Sequence, residues 1–310
     1  MFSVTEIRNG EGVLQWREEH LTGLRCKISP GRLKRGLDAT YVAPAVQDGC
    51  PFCRDQILAA TPTFRNGERI CVGESITFPN LFPFAEWHTV TVITRDHLVD
   101  RFTPRQLRDA LTGQMRSLAD AKGYPSINWN YLPSAGASIA HPHLQGIVDK
   151  RPAVLAENYL LGSTRYRVRT GRCYWEDLVR EEKSSERYLF GDEITWLASA
   201  VPLGEREVRG ILPIASLEDF EPYIDEFVEG MLKILEYYRE MNTHSFNMSL
   251  FFDCRRGDGS FQAFCSMISR INPNASSLAD TAFMERLHLE PVILTLPEDL
   301  GSKFRKRRPC

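Results

Sequence analysis

Three side chains able to do chemistry stand at alternate positions near the middle of the chain: His141, His143 and Gln145, in the run His141-Pro142-His143-Leu144-Gln145. Side chains on an extended segment repeat every two residues, so the three are expected on one side of the backbone. Such a trio can hold a metal ligand, a nucleophile and a donor to a phosphate oxygen in fixed order. The chemistry that fits is transfer of a nucleotidyl group through a histidine. A neutral nitrogen of His143 attacks an α-phosphorus, and the covalent intermediate divides one transfer into two easier displacements. One ring nitrogen must then be unprotonated, and a hydrogen bond from the other to a backbone carbonyl would fix that tautomer. Phosphoryl chemistry otherwise needs positioning and charge stabilisation. Gln145 and Ser138 can donate to the non-bridging oxygens, and Gly136 permits close approach of the backbone. Together they form the string Gly-x-Ser-x-x-His-x-His-x-Gln.

A second cluster suits a metal. Cys50-Pro51-Phe52-Cys53 has the spacing of a zinc knuckle. A closed tetrahedral site needs two more ligands, and His141 and His97 (in Arg95-Asp96-His97) are the candidates. A structural Zn2+ bound by His141 would clamp the segment that carries His143 without touching substrate. A redox role for the pair is disfavoured, because no thioredoxin-like order surrounds it. Cys26, Cys71, Cys173, Cys254, Cys265 and Cys310 read as small hydrophobes or incidental thiols. Eight cysteines are too sparse for a disulfide scaffold, so a reducing cytoplasm is expected.

These residues need elements to hold them. Residues 1–46 read as irregular, with turn signals at Leu21-Thr22-Gly23 and Ser29-Pro30-Gly31. An apolar stretch follows from Ile70 to Phe78, and Trp87 to Thr94 is a β-branched strand. Thr103-Pro104 opens a helix to about Lys122, with Leu107, Ala110, Leu111, Met115 and Leu118 on one face. Strands are expected at Ile127–Leu132 and His141–Val148, joined by the loop from Pro133 to Gly136. The second half repeats this order after about 110 residues, far above solenoid periods. It offers strands at 193–200 and 208–214, a long amphipathic helix from Leu217 to about Met241, and paired strands at 246–252 and 261–271. The Arg-rich segment 152–172 is the expected junction. The fold class is therefore α+β, as two duplicated half-domains, 1–160 and 161–310, each a mostly antiparallel sheet with a long helix. Phe261 to Met267 stands where the second copy would carry His-x-His, so one copy carries the chemistry.

Composition excludes several classes. Apolar content of 43% and charged content of 25% suit a globular core. A net charge of −2 argues against nucleic acid as partner. The basic run Lys303 to Arg308 reads as a solvated tail. No apolar run approaches the roughly 18 residues of a membrane span, and no signal peptide is visible.

Taken together, the motifs resemble the galactose-1-phosphate uridylyltransferase (GalT) branch of the histidine-triad superfamily, which includes ADP-glucose phosphorylase-like proteins. The resemblance spans nearly the whole chain and rests on Cys50-Pro51-Phe52-Cys53, Asn80-Leu81-Phe82-Pro83, Asp96-His97 and Asn130 through Gln145. It implies zinc held by Cys50, Cys53, His97 and His141, nucleotidylation of His143 and phosphate binding by Gln145. It further implies Asn130 and Ser138 near the phosphates, Asn80, Leu81 and Phe82 near the nucleoside, and Arg32 and Arg35 of Ser29-Pro30-Gly31-Arg32-Leu33-Lys34-Arg35 on a diphosphate, for which guanidinium forks are suited. Hydrolases of the superfamily carry a third histidine where Gln145 stands. Glutamine cannot act as an acid, so transfer to a phosphorylated acceptor is implied rather than hydrolysis. The implied donor is a nucleotide sugar or dinucleotide, the acceptor a sugar 1-phosphate or phosphate, and the assembly a homodimer. A second, histidine-rich metal site of the classical enzymes is expected to be absent. The segment 282–290 fits the family's hexose-binding stretch loosely, leaving His288 and Glu290 as polar contacts to a different substrate or as an exposed helix face. The aromatic residues Phe78, Phe82, Phe84 and Trp87 could stack a base or belong to the core. The rival from another class is a nucleotide-binding protein without turnover, against which an intact nucleophile speaks.

Overall fold

The computed structural model describes residues 1–9, 12–35, 49–99, 101–254, 257–271 and 280–307. Its strands are β1 (Phe2–Asn9), β2 (Gly12–Glu19), β3 (Arg25–Ile28), β4 (Ile70–Val72), β5 (Ser75–Pro79), β6 (Trp87–Val92), β7 (Tyr124–Tyr131), β8 (His143–Asp149), β9 (Tyr188–Gly191), β10 (Thr195–Ala198), β11 (Val208–Ile211), β12 (Ser245–Phe251), β13 (Phe264–Arg270) and β14 (Val292–Ile293). Its helices are α1 (Ile57–Ala60), α2 (Pro104–Leu118), α3 (Val154–Thr170), α4 (Tyr174–Glu182), α5 (Ile224–Glu240) and α6 (Pro297–Arg305). No helix among the described residues is long and apolar enough to cross a membrane.

Ten strands form one sheet in the order β4-β5-β6-β8-β7-β12-β13-β11-β10-β9. Read outward from the β7–β12 seam, the two halves have the same strand order, and α2 and α5 occupy equivalent places between third and fourth strands. The duplicated α+β architecture is thus present, with the copies joined edge to edge. The seam is antiparallel, pairing Asn247 with Asn130 and Ser249 with Asn128.

Alternation decides which face is covered. Ile127 and Trp129 of β7, Leu144 of β8, and Phe246, Met248 and Leu250 of β12 are buried in one cluster with Leu107 and Leu111 of α2 and Phe227, Met231 and Ile234 of α5. The alternate residues Asn128, Asn130, Gln145, Asn247 and Ser249 are only half-buried. The opposite face of the central strands therefore stays open and polar. Helix α2 starts where a capping box directs: Thr103 accepts from the Gln106 amide, the Gln106 side chain returns to the Thr103 amide, and Pro104 takes the first turn. Such a cap contributes about 1 kcal/mol.

Several expectations are corrected. Residues 1–46 are not irregular throughout: β1, β2, β3 and β14 make a second, four-stranded sheet. Segment 152–172, the expected junction, lies between β8 and β9 and contains the 17-residue α3, whose Tyr159 is fully buried and donates to Glu19 at 2.9 Å. Gly171, with φ 73°, ends it. The basic run Lys303–Arg308 is not simply a tail: Arg305 lies in α6 and donates to the Glu186 and Tyr188 carbonyls, and Arg307 pairs with Glu240. Strand β8 begins at His143, so His141 and Pro142 precede it. The side chain of His141 is thereby free of the strand's alternation and turns to the cysteine knuckle.

Candidate active site and metal centre

The knuckle closes as a turn, with the Cys53 amide donating to the Cys50 carbonyl at 3.2 Å. Cys50, Cys53, His97 and His141 converge so that their ligand atoms all lie within 4.8 Å of one another. Cys53 Sγ is 3.3 Å from His97 Nδ1, and both sulfurs are 3.8 Å from His141 Nδ1. Ligand atoms around a tetrahedral zinc ion stand roughly 3.3–3.8 Å apart. The ring of His141 is already in the ligating tautomer: its Nε2–H donates to the Thr94 carbonyl at 2.8 Å, which leaves Nδ1 as the lone pair facing the sulfurs. Burial, then the adjacent Cys50, pushes the Cys53 thiol up to about 11. A bound divalent cation would reverse that shift, since metal coordination deprotonates a thiol outright. Donor set, spacing and tautomer therefore fit a zinc-type ion.

His143 opens β8 beside this centre. It is buried, and its Nδ1–H donates to the backbone carbonyl of His141 at 2.8 Å. The proton is thus held on Nδ1 and the lone pair on Nε2. Burial also lowers its pKa, favouring the neutral ring. Phe52, between the two cysteines, packs edge-on to His143 with ring centroids 5.3 Å apart and reaches His141 at 6.2 Å.

Gln145 follows on the same face of β8, with its Oε1 3.0 Å from His88 Nε2. Asn130 lies on β7, where extending the observed pairing of Asn128 with Gln145 brings it level with His143. The loop between β7 and β8 turns through Leu132 at φ 73° and a 3-10 turn (Pro133–Ala135), which Gly136 ends at φ 87°. A Cβ at Gly136 would meet nothing within 4 Å, so backbone conformation, not crowding, selects glycine there. Ser138 is exposed on this loop.

The remaining expected residues are placed as follows. Asn80 Oδ1 accepts from the Phe82 amide at 2.9 Å, and its Nδ2 faces the His88 ring. Leu81 and Phe82 project into solvent. Arg32 is exposed on a 3-10 turn (Pro30–Arg35). The side chain of Arg35 lies outside the described residues. The aromatic group divides: Phe78 is core, Trp87 donates to the Ser117 carbonyl at 2.8 Å, and Phe82 and Phe84 are exposed. Glu290 is engaged by Arg25 at 3.2 Å and Lys27 at 3.5 Å, and His288 sits on an exposed π-helical turn (Met284–His288). His88 and Asn247 reach the site without having been expected. A buried histidine in a β-branched strand was the signal for the first; the second had none.

No family model matches the chain. An uncharacterized protein from Archaeoglobus fulgidus is 28% identical over 317 residues, spanning 98% of this chain and 92% of that protein. The crystal structure of an ADP-glucose phosphorylase from Arabidopsis thaliana with bound ADP-glucose superposes with a TM-score of 0.75 at 16% identity, covering 96% of this chain and 100% of that one. A GalT-like protein from the same plant gives 0.75 at 15% identity, covering 95% and 99%. A uridylyltransferase structure gives 0.69 at 17%, covering 94% and 97%. The chain therefore has the fold shared by these proteins.

Proposed function

We propose that the protein is a nucleotidyltransferase that moves a nucleoside monophosphate from a nucleoside diphosphate sugar to a sugar 1-phosphate through a covalent nucleotidyl-histidine. The observation that carries this reading is the 2.8 Å bond from His143 Nδ1–H to the His141 carbonyl, which leaves Nε2 as a fixed, unprotonated nucleophile.

In the first step the Nε2 lone pair forms a bond to the α-phosphorus. The bond from phosphorus to the bridging oxygen breaks, and sugar 1-phosphate leaves with the electron pair. A phosphate monoester has its second pKa near 6, so this leaving group departs as a stable anion and needs no acid. Gln145 suits that requirement: it can donate a hydrogen bond and cannot donate a proton. In the second step an acceptor phosphate oxygen attacks the same phosphorus, and the N–P bond returns its pair to Nε2. Gln145, Asn130 and Ser138 steady the non-bridging oxygens, with Arg32 and Arg35 on the outer phosphates. Asn80, Leu81 and Phe82 take the nucleoside, and Gly136 lets the loop approach it. Cys50, Cys53, His97 and His141 would hold Zn2+, which supplies structural rigidity next to the nucleophile.

The test is intact-protein mass spectrometry after mixing the protein, without acceptor, with UDP-glucose, UDP-galactose, ADP-glucose and dinucleoside polyphosphates. A gain of one nucleoside monophosphate in the wild type, absent in His143→Gly, is expected. Discharge of the adduct by sugar 1-phosphate identifies the uridylyltransferase-like reaction; discharge by inorganic phosphate alone replaces it with a phosphorylase. Nucleotide binding with no adduct from any donor overturns the covalent reading in favour of a binding protein.

A further inference from the structure

Amide side chains present a donor at one end and an acceptor at the other, and a phosphate accepts only the donor end. Around the site, groups of fixed polarity decide which end each amide shows. Asn247 is the clearest. Its Oδ1 lies 2.8 Å from the guanidinium of Arg270, which can only donate, and its Nδ2 lies 2.8 Å from the Ala135 carbonyl, which can only accept. The same Nδ2 lies 2.6 Å from Asn130 Oδ1. Asn130 must therefore turn its oxygen to the seam and its NH2 away from it. Arg270 is itself fixed, because its Nε lies 2.8 and 3.0 Å from the two oxygens of Asp280 and Nη2 adds a further contact. Asp280 Oδ2 also accepts from the Ile271 amide at 3.0 Å.

The same logic holds on the other flank. The Phe84 amide, a donor only, faces His88 Nδ1 at 3.4 Å, while Asn80 Nδ2 lies across the ring edge, 3.3 Å from Nδ1 and 3.0 Å from Nε2, and so does not choose between the two nitrogens. Nδ1 is then the acceptor, the proton sits on Nε2, and Nε2–H donates to Gln145 Oε1 at 3.0 Å. Gln145 likewise spends its oxygen on the protein. Neither free NH2 has a hydrogen-bond partner among the described residues.

We infer that His88 and Asn247 are positioning residues that turn the amides of Gln145 and Asn130 so that both present NH2 groups, not carbonyl oxygens, to the donor's phosphates on either side of His143. This rests on the transfer reading above. The second half of the chain then serves the catalytic half directly, because Asp280, Arg270 and Asn247 carry backbone-set polarity across the β7–β12 seam. Without His88 or Asn247 an amide is free to rotate, and half of its orientations place an oxygen against an anion.

The experiment is a pair of double-mutant cycles on the full, zinc-loaded chain: His88→Phe with Gln145→Ala, and Asn247→Leu with Asn130→Ala. The readouts are Kd for ADP and UDP and the rate of adduct formation at His143. Melting temperature and zinc content report on the fold. Each single substitution is expected to lower the adduct rate about 100-fold, the lower end of the range for loss of one preorganised donor. Each double variant is expected to be no worse than the corresponding amide deletion alone. Losses that multiply within both cycles overturn the proposal, since a merely structural role damages the site whether or not the amide is there. Should His88→Phe or Asn247→Leu fail to fold, the isosteric Asn247→Asp serves: it keeps an acceptor for Arg270 but shows an oxygen to both Asn130 and the Ala135 carbonyl, so its effect is expected to shrink in the Asn130→Ala background, and an undiminished effect overturns the proposal. Coupled losses in nucleotide affinity without any adduct keep the positioning role and remove the transfer reading. An adduct with multiplying losses does the reverse, and a wild type that neither binds ADP or UDP nor forms an adduct overturns both.

Discussion

The backbone carbonyl of His141 accepts the Nδ1 proton of His143 at 2.8 Å while the His141 ring, through Nε2, donates to the Thr94 carbonyl at the same distance. One residue thus faces the cysteines with its side chain and sets the tautomer of His143 with its main chain. The candidate metal centre and the proposed nucleophile are linked through a single residue, with Phe52 packed against both rings.

That coupling predicts a remote effect on chemistry. Cys53→Ser should lose the metal and slow adduct formation, although Cys53 is not placed on the substrate. Cobalt substitution is the check. The wild type should show the visible absorption of a tetrahedral S2N2 ion, and the variant should not. A Cys53→Ser protein that forms the adduct at the wild-type rate without metal would uncouple the two sites.

How much of this is legible in the chain itself follows from distance along it. Cys50 with Cys53, and His141 with His143 and Gln145, are close in sequence, so their spacing alone announces the chemistry. His88 and Gln145 are 57 residues apart and meet only because β6 and β8 are antiparallel neighbours. Asn130 and Asn247 are 117 apart and meet at the seam between the copies. No spacing rule reaches across two strand registers. The β1–β2 hairpin is obscured for another reason: Val4, Ile7, Val13 and Trp16 are exposed, so hydrophobic alternation does not mark a buried face. Segment 152–172 fails to read as a helix because its arginines face solvent around one buried tyrosine, Tyr159.

Two glycines flank the proposed catalytic residues and should respond differently to alanine. A Cβ on Gly146 would collide with Gln114 Nε2 and lie 3.0 Å from Leu118 Cδ1. Gln114 is fully buried and cannot step aside without breaking its bonds to Thr89, Thr91 and Ser117. Gly146→Ala should therefore destabilise the protein by about 1–3 kcal/mol, the range for overpacking. Denaturant unfolding measures this, and an unchanged midpoint would contradict it.

Gly136→Ala meets no such obstacle, since nothing lies within 4 Å of the added carbon. Its cost is the left-handed backbone, roughly 1 kcal/mol. A modest loss of stability should accompany a larger loss of adduct formation, because the loop carrying Ser138 shifts and a methyl group enters the space left for the donor. Equal small effects on both would mean that the loop does not approach substrate.

The acid limit of stability should depend on a contact far from the site. Glu298, at the start of α6, accepts from Arg17 Nη1 and Nη2 at 3.0 and 2.8 Å and from Arg187 Nη1 at 2.8 Å. Burial alone would raise its pKa, but the bonds and charge from Arg17, with those from Arg187, outweigh it and hold the carboxyl below its ordinary value. The sign follows from linkage: a carboxyl with a depressed folded-state pKa adds stability that is fully present above the unfolded value and is lost as pH falls through the folded one. Glu298→Gln should thus cost about 2 kcal/mol near neutral pH, as expected for charge-assisted hydrogen bonds. The deficit should shrink toward zero as pH drops below the carboxylate range, where the wild-type side chain is also neutral. Parallel melting curves of the two proteins against pH test this, and a gap that stays constant down to strongly acidic pH would show that the ionised carboxylate is not what ties α6 to Arg17 of β2 and to Arg187 just ahead of β9.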